Sequence, residues 1–204
     1  MSDLLIILIF YLLLLSSVFG YGFLLSTIFN VDIENISYGL IGIYGIYLII
    51  LISYLTSVIF PHNFEHNVIL HSIGIISCVF FFKKKLKYNF KFIYLFPLVF
   101  VFHILIFKNH DDFSYYHFPY TFYLTEFKTQ LGVGIFSHGF RTPSSIFYLN
   151  STFYLPFVEF YSFNLGALII VVLSNLYFLD KIQISLKISK NKLILFFSLL
   201  SLGL

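Results

Sequence analysis

Long apolar runs separated by short polar segments dominate the chain. The runs span about 15 to 27 residues, and a helix needs about 20 apolar residues to cross the hydrocarbon core of a bilayer. A transmembrane β-barrel would instead show segments of about 10 residues that alternate between apolar and polar side chains. The pattern therefore predicts an all-α, polytopic membrane protein.

The apolar runs predict five full spans and an incomplete sixth. The full spans are predicted at residues 4–29, 39–60, 67–82, 92–107 and 161–179. A last run begins at Leu193 and reaches only Leu204, about 18 Å of helix at 1.5 Å per residue, which is too short to cross. We therefore expect either a fragment of a longer protein or a chain that ends within its last helix.

The composition supports a membrane protein, because 59% of the residues are hydrophobic and only 10% are charged, against roughly 25% charged in soluble domains. Most of the basic residues fall in two segments, residues 83–91 and 181–192. Basic residues collect in cytoplasmic loops. We therefore expect a multi-pass protein of the inner (plasma) membrane with both segments in the cytoplasm.

This orientation divides the chain into three parts. Residues 1–107 hold four spans, residues 108–160 form an extracytoplasmic loop, and residues 161–204 hold the fifth span, a cytoplasmic loop and the incomplete sixth span. The extracytoplasmic loop is long for a connection between membrane helices and too short for a domain with its own core. We expect it to lie against the membrane surface as interfacial helices.

Ionisable residues are concentrated at the start of this loop, in the stretch KNHDDFSYYHFPYTFYLTEF. Asp111 and Asp112 repel each other unless a cation, a proton or a basic partner intervenes. They form a solvated turn that caps the next helix, or they hold a divalent cation such as Mg or Mn with help from His110 or His117. Arg141 is a third way to compensate their charge.

Arg141 is the only arginine of the chain. Its planar guanidinium suits a phosphate group bidentately, and a salt bridge to one of the aspartates is the alternative. It follows the Gly-rich segment GVGIFSHGFR, which also carries His138. Proline and glycine positions predict one helix between Pro119 and Gly132 and a second that begins at Thr142-Pro143.

The histidines outside the extracytoplasmic loop give weaker indications of a functional site. His62 and His66, with Glu65, either line the same cavity as the loop residues or lie in an exposed loop. His71 and His103 lie inside predicted spans, where we expect hydrogen bonds to neighbouring helices.

The loop resembles the first large extracytoplasmic loop of a bacterial family of polytopic membrane glycosyltransferases of the GT-C type. That family shows an Asp pair after a span, a Tyr-His element, and a Gly-rich turn with His-Gly, Arg and a Ser pair opening an aromatic helix. The matching residues here are Asp111, Asp112, Tyr116, His117, Phe118, Pro119, His138, Gly139, Arg141, Ser144 and Ser145.

The resemblance implies a transfer of sugar from a polyprenyl-phosphate-linked donor on the extracytoplasmic face, as in polysaccharide biosynthesis. It implies catalytic roles for Asp111, Asp112 and His117. Arg141 and His138 would bind the phosphate of the donor. The aspartates, with His110, would hold the metal if one is used. The expected partners are the lipid-linked donor and membrane lipids, and no nucleic acid.

Two alternatives to an enzyme are open. The chain is a transporter or flippase component that binds an anionic lipid or polysaccharide without chemistry, or it is a non-catalytic subunit. Transporters usually place charged residues in the middle of their spans. The apolar runs here contain almost none, which favours chemistry at the membrane surface.

Overall fold

The computed structural model describes residues 2–33, 36–85, 97, 111–136, 138–141, 143–188 and 192–201. Within this part of the chain every regular element is a helix and none is a strand. The all-α prediction is therefore confirmed. The α-helices are α1 (Ser2–Ile28), α2 (Tyr38–Ser57), α3 (Phe64–Lys85), α4 (Phe118–Glu126), α5 (Ser145–Thr152), α6 (Leu165–Ile188) and α7 (Lys192–Ser201).

Among the described residues, four helical segments are long and apolar enough to cross a membrane. They are Leu4–Ile28, Tyr38–Ser57, Phe64–Phe81 and Glu159–Ile184. Each coincides with a predicted span, which indicates a membrane protein. The predicted span 92–107 lies outside the described residues except for Pro97, and α7 covers most of the last apolar run.

Small residues allow the first three helices to pack closely. A side chain at Gly20 of α1 would collide with the backbone of Gly74 in α3, and one at Gly45 of α2 would collide with the backbone of Val18. Such contacts are typical of helices that associate in membranes, where small residues let backbones approach. Helix α2 in turn packs against α6, which completes a bundle around α1.

Two helices continue beyond their predicted ends into the basic segments. Helix α3 extends to Lys85 and α6 to Ile188, so the segments predicted as cytoplasmic loops are in part helical. Residues 180–188 contain no glycine or proline, and lysine, leucine and glutamine favour helix. Nothing in the local sequence therefore stops the helix where the apolar run stops.

Helix α5, predicted as an interfacial helix, packs closely against other helices. It begins after the N-cap Ser144, whereas Thr142, the predicted cap, lies outside the described residues. Phe147, Tyr148 and Leu149 are buried, and the helix packs against α2, α3, α4 and α6. It is therefore a part of the bundle, and its place at the membrane interface stays a prediction.

Helix α4 is shorter than predicted. It ends at Glu126, well before Gly132. Gly132 has a φ of 83°, a left-handed conformation that glycine adopts without the steric cost of a Cβ atom. Gly132 therefore belongs to a turn in the loop that follows α4 and not to the end of the helix.

Candidate functional site

Asp111 and Asp112 lie in a helical segment that continues without interruption to Glu126. Asp112 has helical backbone angles and its side chain makes no capping hydrogen bond to the turn that follows. Asp112 therefore does not cap the turn that follows it, and the interpretation of residues 110–112 as a capping turn stays a prediction, because residue 110 lies outside the described residues. Asp111 is exposed and Asp112 is half-buried, so the carboxylate of Asp111 reaches the surface.

A π-helical turn, Phe113–His117, connects the aspartates to α4. In this turn the N–H of Phe118 donates to the carbonyl oxygen of Phe113, one residue further back than in an α-helix. Pro119 follows and has no N–H to donate, which is why the helix changes its spacing here. Such π-bulges inside helices frequently occur at functional sites.

His117 ends the π-helical turn and is half-buried. Its ring lies 4.4 Å from the ring centre of Tyr116 and 5.1 Å from that of Phe147 in α5. These contacts fix the imidazole between the turn and the bundle, one helical turn and a half beyond the aspartates.

The Gly-rich loop is fastened to this turn through Gly139. Gly139 is buried, and a Cβ atom at this position would collide with the Cβ of Tyr116. Phe140 extends the contact, with its ring 5.2 Å from that of Tyr120 and 5.8 Å from that of Tyr123 in α4. The loop residues His138 to Arg141 are therefore held beside the π-helical turn that follows the aspartates.

Arg141 is exposed, and its Nε donates a hydrogen bond to the carbonyl oxygen of Gly134 at 3.1 Å. This nitrogen therefore does not make the salt bridge to an aspartate that was considered from the sequence. His138 is exposed as well, and its carbonyl oxygen accepts from the N–H of Arg141 at 3.2 Å. His110 lies outside the described residues.

The sequence missed a buried polar cluster beneath this surface. His62 is fully buried, with its Nδ1 2.7 Å from the hydroxyl of Ser151 and its Nε2 3.2 Å from the carbonyl oxygen of Ser53. Its ring stacks on His66 at 4.8 Å. Burial lowers the pKa of His62 from 6.5 to about 3, the charge of His66 adds to the effect, and the hydrogen bond to Ser53 opposes it. The prediction of an exposed loop histidine was therefore wrong for His62.

Two further side chains of α3 bind the carboxyl end of α5. The side-chain amide of Asn67 lies within 2.9 Å of the carbonyl oxygens of His62, Ser151 and Tyr154. Nε2 of His71 bonds the carbonyl oxygen of Thr152 at 2.9 Å, and its Nδ1 lies 2.9 Å from the hydroxyl of Ser17.

These bonds satisfy the carbonyl groups that a helix leaves unpaired at its last turn. The expected hydrogen bonding of His71 is therefore confirmed, while His103 lies outside the described residues. The cluster has a structural role, because both ring nitrogens of His62 and of His71 are hydrogen-bonded to protein groups.

Tyrosines join α4 and α5 to α2. The hydroxyls of Tyr120 and Tyr148 lie 3.1 Å apart, and Tyr54 of α2 stacks on Tyr148 at 4.1 Å. Burial raises the pKa of the Tyr120 hydroxyl, and the hydrogen bond with Tyr148 adds to this shift. These rings therefore hold α4 and α5 against α2, below the loop that carries the candidate residues.

The described residues bring together no group of three or more His, Cys, Asp or Glu side chains that could hold a metal ion. Two carboxylates alone supply fewer oxygen ligands than the six or more that a hard divalent cation takes. The cation expected from the sequence therefore stays a prediction that depends in part on His110.

A cavity of about 420 Å³ lies elsewhere, at the opposite end of α2. It is apolar and contains none of the candidate residues. Its lining residues are Leu25, Phe29, Val31, Ile43, Tyr44 and Tyr47.

No protein-family model, curated protein or solved structure matches the chain.

Proposed function

We propose that the chain is a membrane glycosyltransferase of the GT-C-like type, which transfers a sugar from a polyprenyl-phosphate-linked donor at the extracytoplasmic surface. The contact between Gly139 and Tyr116 carries this proposal. It brings the loop with the only arginine of the chain beside the helical turn that follows the paired aspartates. Transfer from a phosphate-linked donor needs a carboxylate that acts on the acceptor and a cation that acts on the phosphate.

The accessibility of these side chains supports the proposal. Asp111, His138 and Arg141 are exposed, and Asp112 and His117 are half-buried. In contrast, His62 and His71 are buried and hydrogen-bonded within the bundle. The loop therefore offers ionisable groups that a substrate can reach, whereas these two histidines are closed to it.

The aspartates would act on the acceptor. Asp111 or Asp112 takes the proton of an acceptor hydroxyl as its oxygen forms a bond to the anomeric carbon of the sugar. The bond from that carbon to the phosphate oxygen breaks, and polyprenyl phosphate leaves with the electron pair. His117 orients one of the carboxylates. The reaction balances without an oxidant or a further co-reactant.

Arg141 and His138 would act on the leaving group. The negative charge on the phosphate grows as the glycosidic bond breaks, so a positioned cation stabilises the transition state more than the ground state. The Nε of Arg141 is bonded to Gly134, which holds the side chain, and its two terminal nitrogens would meet the phosphate. No step of this scheme passes through a metal.

Replacement of both carboxylates tests the proposal. The full chain is reconstituted in liposomes with radiolabelled polyprenyl-phosphate glucose or mannose, and the release of polyprenyl phosphate is measured. We expect the Asp111→Asn, Asp112→Asn double variant to lose at least about 100-fold in rate, the scale of general-base catalysis.

The matched control is Glu126→Gln, which removes an exposed carboxylate at the far end of α4 and should retain the rate of the unmodified chain. Full activity of the double variant would refute the assignment of the aspartates. Binding of both donors without turnover by the unmodified chain would favour the transporter alternative. Addition of EDTA to the same assay tests the predicted cation.

A second variant tests the phosphate site. Arg141→Ala should weaken binding of polyprenyl phosphate about 10- to 100-fold, because a hydrogen bond to a charged group contributes about 1.5 to 3 kcal/mol. Lys128→Ala, an exposed cation on the same loop, is the control and should change the affinity little. Equal losses in the two variants would indicate general charge attraction and not a phosphate site.

A further inference from the structure

We infer that the segment that follows α4, residues 127–136, inserts its apolar side chains into the leaflet of the bilayer at the carboxyl end of α2. We call this segment the tip loop. The inference concerns how the protein contacts lipid, and it holds whether or not the protein transfers sugar.

The tip loop exposes large apolar side chains. Leu131, Ile135 and Phe136 have exposed fractions of 103%, 80% and 90%, and Phe127 of 55%. A cluster of this kind on a protein surface indicates contact with a membrane or a partner. Polar residues would be the ordinary choice for a loop surrounded only by water.

Hydrogen bonds fix the height of the tip loop relative to the membrane helices. The N–H of Thr129 donates to the carbonyl oxygen of Ser57 at 2.7 Å, and the hydroxyl of Thr129 donates to that of Ser57 at 3.0 Å. Ser57 is the last residue of α2, one of the helices able to cross a membrane. The tip loop therefore starts at the level where α2 leaves the bilayer.

The apolar surface of α2 continues into the tip loop. Leu55 and Val58 are exposed beside Ser57, at 71% and 61%. The outward surface of a membrane helix faces lipid, so an apolar loop that begins at its end extends a surface that already meets lipid. This continuity favours lipid over a water-soluble partner as the occupant.

The charges around the tip loop fit a lipid surface. Exposed Lys128 lies near the start of the tip loop and exposed Arg141 follows its end, and Glu126 is the only carboxylate in residues 126–141. Apolar side chains flanked by basic ones are typical of segments that lie in the headgroup region. The hydrogen bond from Arg141 to Gly134 would then hold the guanidinium at the level of the lipid phosphates.

Site-directed spin labelling tests the inference. The full chain, with Cys78→Ala as background, carries a nitroxide at Leu131→Cys, Ile135→Cys or Phe136→Cys in liposomes of phosphatidylethanolamine and phosphatidylglycerol. Electron paramagnetic resonance compares the access of oxygen, which concentrates in lipid, with that of a water-soluble nickel chelate. The native side chains are exposed, so the labels should leave the core intact, which thermal unfolding of each variant checks.

Two labelled controls set the scale. Ile76→Cys reports the outward side of α3, where the native side chain is 69% exposed, and Glu126→Cys reports an exposed charged position. We expect the oxygen-to-nickel ratio of the tip-loop labels to exceed that at Glu126 several-fold and to approach that at Ile76. A ratio equal to that at Glu126 overturns the inference. Labels shielded from both reagents also overturn it, because the tip loop then meets protein, such as a second copy of the chain.

Discussion

The side chain of Asn67 connects two parts of the chain inside the bundle. Its amide nitrogen contacts the carbonyl oxygen of His62, before α3, and those of Ser151 and Tyr154, at the carboxyl end of α5. Buried carbonyl groups without a donor cost about 1 to 3 kcal/mol each. The loss of this one amide group should therefore loosen the connection between α3 and α5.

We predict that Asn67→Asp destabilises the protein by about 3 kcal/mol or more, because a carboxylate would face carbonyl oxygens that need a donor. The midpoint of unfolding in mild detergent measures the effect. Asn63→Asp is the matched control: Asn63 is exposed, and its side-chain oxygen accepts from the N–H of His66, which a carboxylate also does. Equal midpoints for the two variants would contradict the role assigned to Asn67.

His62 predicts a dependence of stability on pH. Its pKa in the folded protein is about 3, against 6.5 in the free side chain. Below pH 6.5 the unfolded chain therefore takes up a proton that the folded protein does not. Stability should fall as the pH drops from 6.5 towards 3, with a slope of up to ~1.4 kcal/mol per pH unit.

Unfolding midpoints at several pH values in this range check the prediction. The variant His62→Asn lacks the titrating group, so its profile should be flatter than that of the unmodified protein, whatever its absolute stability. A profile of unchanged steepness would show that other groups control the acid sensitivity.

A pattern in the sequence does mark part of this cluster. Asn67, His71, Gly74 and Cys78 follow one another at helical spacing along one side of α3, and all four are buried. Polar and small residues on one side of an otherwise apolar helix predict contact with other helices. The burial of His62 has no such signal, because it depends on Ser53 at the end of another helix and on Ser151, which is far from it in sequence.

At the level of elements, the contact between the Gly-rich loop and the π-helical turn can be tested for its effect on sugar transfer. We predict that Gly139→Val separates the loop from Tyr116, because a side chain at this position collides with the Cβ of Tyr116. Sugar transfer should fall by at least about 10-fold, since displacement by an ångström is enough to lower a rate strongly.

The unfolding midpoint of Gly139→Val should change little, because the loop lies outside the bundle core. Gly139→Ala is the graded control, with a smaller side chain and a smaller expected loss. Wild-type transfer by Gly139→Val would show that the position of the loop on Tyr116 is irrelevant to activity.

The long helices could be predicted from their apolar runs, whereas the short ones could be predicted only in part. Pro119 correctly marked the beginning of α4, but the π-helical turn before it arises from the missing N–H within a continuous helix and leaves no simple pattern. Helix α5 was predicted near its true position. Its burial was not, because the side chains that bind its carbonyls belong to α2 and α3.

At the level of the whole molecule, the orientation in the membrane is a prediction from the basic segments, and it is open to direct measurement. We predict that Glu126→Cys reacts with a membrane-impermeant thiol reagent in intact cells. Gln183→Cys, at the other end of the bundle in α6, should react only after permeabilisation. Both native side chains are exposed, and the native Cys78 is buried. The reverse pattern would overturn the orientation.

The membrane character of the molecule could be predicted from composition and run lengths alone, because the bilayer imposes the length and hydropathy of each span. The candidate site could be predicted only as a set of residues. Its assembly depends on a contact between Tyr116 and Gly139, which are separated by α4 and two turns, and a single sequence carries no record of such a contact.

The groups that bind the carboxyl end of α5 also imply an order of assembly. Ser53, Asn67 and His71, which bond its carbonyls, all precede α5 in the chain. During synthesis α2 and α3, which carry these groups, therefore leave the ribosome before α5. Docking of α5 is then a late step. A nascent chain halted before Ser145 would leave these polar side chains without their partners, and a chaperone or a protease could recognise them.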